Sequence, residues 1–138
     1  MMKTRHSQQG VYAIEFVLVS GFLFFLLFSI VELGKVLHYY DAASQATREA
    51  ARLGAVCSMN ATKIKTKVTQ ALPFVTSSNV IVSYSPAGCT VADCKIITVR
   101  LDQAKYTSNL FGFNVNLPNF STTLPRESLD SQYNANCS

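Results

Sequence analysis

Apolar positions fall into three patterns along the chain, and each pattern predicts a different kind of element. From Phe16 to Val31 no residue is charged, and with Val11 to Ile14 added the apolar run covers residues 11–31, interrupted only by Glu15. At ~1.5 Å per residue a helix of that length crosses a hydrocarbon core of ~30 Å, so residues 11–31 are expected to span a membrane. Beyond the span, Leu33, Val36, Leu37, Tyr40, Ala43, Thr47, Ala50, Gly54 and Cys57 recur in steps of three and four, while His38, Asp41, Gln45, Arg48 and Arg52 take the opposite face. This periodicity predicts that the helix continues, now amphipathic, over residues 32–57. Glu32 and Lys35 are placed to pair at i, i+3 where the helix leaves the bilayer.

The segment "SMNATKIKTKVTQALP" supplies Ser58 or Asn60 as a start signal, then Ile64, Val68, Ala71 and Leu72 at helical spacing, with Pro73 as the stop. It predicts a short second helix. The period then changes to two. "NVIVSYS" places Val80, Val82 and Tyr84 on one face, and "KIITVRL" does the same with Ile97, Val99 and Leu101. Joined by the loop "PAGCTVADC", they predict a hairpin. In "NLFGFNVNLPNFSTTLP", Phe111, Phe113, Val115 and Leu117 alternate with Gly112, Asn114 and Asn116, the clearest strand pattern in the chain. The expected fold class is α+β. A long N-terminal helix, first membrane-spanning and then amphipathic, packs on a small exported domain with a short second helix and an antiparallel sheet of three to four strands, in a lollipop outline. The expected boundaries are a leader over 1–10, the span over 11–31, the helix continuation over 32–57 and a small domain over 58–138.

Size and charge narrow the function. Of 138 residues, about 80 remain after the long helix, enough for one modest domain and too few for a large enzyme. Net charge is +4, and removing Lys3 and Arg5 with a leader would lower it to +2, which gives no case for nucleic acid as a partner. Lys63, Lys65 and Lys67 do not share a narrow helical face and read as solvated surface. Lys3 and Arg5, with His6, precede the span, and positive residues flanking a first span stay cytoplasmic. The N-terminus is therefore expected in the cytoplasm, with everything after about residue 32 exported. Ser44 and Ala46 satisfy a small-x-small rule, but they lie well beyond the apolar run inside the continuing helix, which speaks against ordinary signal cleavage.

Glu15 is the residue that the span does not explain. A carboxylate near the centre of a membrane helix costs on the order of 2.5 to 3.5 kcal/mol on insertion scales, and it calls for a partner. One reading lets it snorkel to the cytoplasmic interface, which is close. Another takes "QQGVYAIEF" as a processing site cut after Gly10. Val11 then carries a new α-amino group one helical turn from Glu15, and the positive helix terminus favours the same anion. The amine is either this chain's own or that of a neighbouring subunit, in which case Glu15 sets register as spans pack together.

A short basic leader ending in glycine, four residues, a Glu-aromatic pair and an apolar helix together resemble the type IV prepilins of the tight-adherence (Tad) class. Within that class, the stretch from "QQGVYAIEF" through "VELGKVLHYYDAASQATREAARLGAV", with "LPRESL" near the end, is similar to the TadE-like minor pseudopilins. The likeness is good over about residues 8 to 56 and loose beyond. It implies a pseudopilin of the inner membrane, cut between Gly10 and Val11 by a prepilin peptidase, with Glu15 and Phe16 serving recognition and assembly. Its partners would be that peptidase and other pilins or pseudopilins, which it meets through the N-terminal helix. Its task would be to support an adhesive Tad-type pilus or its secretion machinery.

Four cysteines, Cys57, Cys89, Cys94 and Cys137, fall in the part expected to be exported, where an even count favours disulfides. Cys89 and Cys94 sit close enough to staple the hairpin loop. If they pair, Cys57 and Cys137 remain to tie the polar tail to the end of the long helix, one of three possible connectivities. The C-x4-C spacing with no histidine after it does not suit zinc. His6 and His38 lie in no ligand pattern, and the six glycines form no phosphate-binding loop. The residues therefore point to no enzyme, no metal and no cofactor, but to a substrate of a peptidase. The competing reading is an uncleaved anchor that presents a ligand-binding or adhesive domain.

Overall fold

The computed structural model describes residues 9–132 and 134–137. Residues 1–8 of the leader expected over 1–10, with Lys3, Arg5 and His6, lie outside the described residues. The chain divides into two compact units, Met1–Lys35 and Val36–Ser138. One helix, α1 (Gln9–Val56), of 48 residues, contributes to both.

In the first unit, α1 turns large apolar side chains outward on every face. Val11, Ile14, Phe16, Val17, Leu18, Phe22, Leu23 and Ile30 are all more than half exposed. Its most apolar 18-residue window has a mean hydropathy of 2.5 and none of it is buried within the protein. A helix that is hydrophobic all round and covered by nothing matches a lipid environment, and α1 is long and apolar enough to cross one. The hydroxyl of Ser29 donates to the carbonyl of Phe25 at 2.8 Å, so this polar group in the apolar run is satisfied within the helix.

The second unit is α+β. After α1 come α2 (Thr62–Ala71), β1 (Val80–Ser85), β2 (Ile96–Leu101), β3 (Lys105–Thr107), β4 (Asn114–Asn116) and β5 (Phe120–Pro125). Strands β1, β2 and β5 form an antiparallel sheet in the order β1-β2-β5, and β3 pairs with β4 in a separate antiparallel hairpin. Register places Val80, Leu101 and Phe120 in one row, Val82, Val99 and Thr122 in the next, and Tyr84, Ile97 and Leu124 in the third. Alternation puts these rows on one face of the sheet. They join Ile64, Val68 and Leu72 of α2 and Ala43, Ala46, Ala50, Ala51 and Ala55 of α1 in a single core. The other face is polar, with the hydroxyls of Thr98 and Thr123 2.9 Å apart across the strands.

Small residues on α1 permit this close approach. A Cβ on Gly54 would collide with Cδ1 of Ile97 and lie 3.5 Å from Cδ1 of Ile64. Thr47, 1% exposed, returns its hydroxyl to the carbonyls of Ala43 and Ser44 at 3.1 and 2.9 Å, so it is buried without an orphaned polar group.

Three sequence expectations need correction. The strand expected over Phe111 to Leu117 is cut to Asn114–Asn116, because Gly112 has φ +68° and the amide of Ser108 bonds the carbonyl of Phe113 at 2.9 Å, closing a turn. Phe111 and Phe113 consequently sit in or beside a turn and are exposed. The third strand of the main sheet is β5 instead, whose Ser and Thr residues gave a weak apolar alternation. On α1, Leu33, Leu37 and Tyr40 are exposed, and the buried stripe runs through Ala43, Ala46, Thr47, Ala50, Ala51 and Gly54. Ala43, Thr47, Ala50 and Gly54 belong to the expected stripe and are buried, so the departures are Leu33, Leu37 and Tyr40. On α2, neither Ser58 nor Asn60 caps the helix; the N-cap position is Ala61, and Ala71 is exposed while Ile64, Val68 and Leu72 are buried.

Candidate functional site

The candidate site lies in the opening turns of α1. Gly10 is the second residue of the helix, so the Gly10–Val11 bond falls in its first turn. Gly10, Val11, Glu15 and Phe16 are all exposed. Val11 and Glu15 are separated by one helical turn, a rise of about 6 Å along a shared face. A carboxylate at that position is well placed for an amine on residue 11, and also for an amine presented by a neighbouring helix.

Among the described residues, nothing requires glycine at position 10. A Cβ built there meets no atom within 4 Å, and the backbone is helical. Alanine would favour the helix by about 1 kcal/mol over glycine, so local stability argues against the residue found. Gly21 and Gly34 are equally free of contacts, whereas Gly54 is tightly enclosed. Packing therefore explains Gly54, and among the described residues it accounts for none of Gly10, Gly21 and Gly34.

At the other end of α1 the structure pairs Cys57 with Cys137 and Cys89 with Cys94, with Cα separations of 5.4 and 5.1 Å. The long-range disulfide belongs to a larger junction. The amides of Glu127 and Asp130 bond the carbonyls of Ala55 and Val56 at 2.9 and 2.8 Å, and the hydroxyl of Ser128 bonds Val56 as well. The C-terminal tail thus satisfies carbonyls that a helix end leaves open. Ser58 and Ser131 exchange amide-to-hydroxyl bonds of 2.8 and 3.1 Å. The short-range disulfide closes the β1–β2 loop, where the guanidinium of Arg126 donates to the carbonyl of Val91.

One buried acid escaped the sequence reading. Glu32 accepts from Lys35 at 3.0 Å, as its spacing predicted, but it is only 2% exposed. Its position just after the span, on the same side of the helix as Val36 and Tyr39, was the available signal. Arg48 and Arg52 are exposed, as are Lys63, Lys65 and Lys67. Among the described residues, no three His, Cys, Asp or Glu side chains gather as a metal site.

No curated protein and no solved structure matches the chain. Residues 10–52 match the family model described as TadE-like protein. That match opens at Gly10 and contains Val11, Glu15, Phe16, the whole apolar run and most of the small-residue stripe, so the N-terminal part of this chain is similar to the TadE-like family.

Proposed function

We propose that the chain is a minor pseudopilin of a Tad-type system, cut between Gly10 and Val11 by a prepilin peptidase, and that it supports assembly of an adhesive pilus or its secretion machinery. The observation that carries this reading is the extent of the TadE-like match, which begins at the glycine of the cleavage bond and includes Glu15. The exposure of Gly10 and Val11 supports it, since a peptidase needs access to that bond.

In this reading the chain is a substrate and a building unit rather than a catalyst. It sits in the inner membrane as a single-pass protein with its N-terminus cytoplasmic and the second unit periplasmic. Cleavage frees the amine of Val11, and Glu15 neutralises it, or neutralises the amine of the neighbour against which α1 packs. An unpaired carboxylate in lipid is costly, so a correctly staggered neighbour is favoured over a misplaced one. Partners are the peptidase and other pilins or pseudopilins, met through the N-terminal helix.

Glu15→Ala separates the two roles of this region. The variant is expected to be processed at close to the rate of the parent chain when co-expressed with the peptidase, and to be depleted from sheared pilus or assembly-complex fractions. Equal incorporation of variant and parent would remove Glu15 from assembly and leave it as an acid that snorkels to the interface.

A further inference from the structure

The β3–β4 hairpin ends in three large apolar side chains that remain exposed: Leu110 at 54%, Phe111 at 42% and Phe113 at 41%. The rings of Phe111 and Phe113 stack with centroids 6.4 Å apart. From Tyr106 to Pro125 the chain carries no charged residue, the stretch being bounded by Lys105 and Arg126. Backbone polarity at the tip is partly absorbed internally. The amides of Ser108 and Gly112 bond the carbonyls of Phe113 and Ser108, and the amide of Phe111 bonds the hydroxyl of Ser108. A tip built this way loses less on leaving water than an open loop does.

Contacts within the second unit locate the hairpin. Ile97, early in β2, lies against Gly54, and Glu127, just past β5, bonds Ala55. At the other end of the sheet, Phe120 meets Tyr40 edge to face with ring centroids 4.9 Å apart. Strand β2 therefore descends α1 from the level of Gly54 to that of Tyr40, and the hairpin follows, with Tyr106 4.9 Å from Tyr39. The hairpin is at the end of the unit where the chain arrives from the apolar run. Tyr39 follows Val31 by eight residues of chain.

We propose that this hairpin tip inserts into the interfacial layer of the bilayer that α1 crosses. Lipid is the occupant because the few residues of chain between the apolar run and Tyr39 keep this end of the unit near a membrane at high effective concentration. Leucine and phenylalanine side chains on an uncharged segment are also what interfacial insertion buries. Insertion gives the second unit a second attachment and so fixes its orientation on the membrane surface. The inference needs the membrane span alone and does not depend on processing or on a pilus.

The chain contains no tryptophan, so single-tryptophan variants report from one position each. The full chain carrying Phe113→Trp is reconstituted at low density in phosphatidylethanolamine–phosphatidylglycerol vesicles, with and without lipids brominated high on the acyl chains. Leu110→Trp is the second reporter. Val91→Trp, in the disulfide-closed loop at the opposite end of the sheet, is the control. Both hairpin reporters are expected to lose emission about twofold with brominated lipid, while Val91→Trp keeps its intensity. Quenching of neither hairpin reporter beyond the control overturns the proposal. So does a blue-shifted but unquenched emission, which reports a tip covered by protein.

Discussion

The two halves of α1 obey opposite rules. Between Val11 and Val31 most side chains are large and exposed, and among the described residues none of the most apolar window is buried. Between Ala43 and Ala55 the inward side chains are small and buried, and the bulk of the core comes from Ile64, Val68, Ile97, Val99 and Leu101 across from them. Side-chain size thus follows what must come near. Lipid tails adapt to phenylalanine and leucine, whereas a rigid sheet admits a helix only where its surface is alanine, threonine or glycine. One helix serves an environment in its first half and a fixed neighbour in its second, and substitutions should separate the two.

The largest effect is expected at the junction that closes the second unit. Replacing both Cys57 and Cys137 by serine opens a loop with a sequence separation of 80, which the chain-entropy model values at about 4 kcal/mol. The same change at Cys89 and Cys94, separated by 5, should cost about half as much. Chemical unfolding of the full chain in detergent micelles, followed by tyrosine fluorescence, measures both. Equal losses would show that strain or packing, and not loop length, sets the contribution.

A middle-sized effect falls on the sheet. Ile97→Ala removes a fully buried side chain and is expected to destabilise the second unit by about 3 kcal/mol. Val17→Ala, on the exposed face of the apolar run, should leave that unfolding transition unmoved. A shift from Val17→Ala similar to that from Ile97→Ala would collapse the distinction between the two halves.

Glycine gives the finest comparison. Gly54→Val must displace Ile97, and overpacking should cost about 1 to 3 kcal/mol, offset in part by the better helix propensity of valine. Gly21→Ala meets nothing within 4 Å and should be neutral or slightly stabilising. The same unfolding measurement checks the pair.

Patterns with a strong local cause were legible in the sequence. The span, the continuing helix, the second helix and the β1–β2 hairpin each rest on apolar periodicity, and the register of Val80, Val82 and Tyr84 against Leu101, Val99 and Ile97 follows from it. The local disulfide follows from five-residue spacing, and the second is what remained. What could not be read was set by tertiary contact. The turn at Gly112 overrode a clean alternation because it closes a hairpin on β3, a strand of three residues with little signal. Strand β5 earned its place by pairing with β2 rather than by hydrophobicity. Of the expected stripe on α1, Ala43, Thr47, Ala50 and Gly54 are buried as read, while the exposure of Leu33, Leu37 and Tyr40 was not legible. At the candidate site, Gly10, Val11, Glu15 and Phe16 were singled out from local sequence, and the structure adds their exposure in the opening turns of α1; the burial of Glu32 was not legible.

The central claim concerns one peptide bond, and the N-terminus of the mature protein tests it most directly. Intact-mass measurement and N-terminal sequencing of the chain, purified from membranes of cells with an active prepilin peptidase, should find Val11 as the first residue. A chain that begins at Met1 or Met2 in those cells would contradict the account.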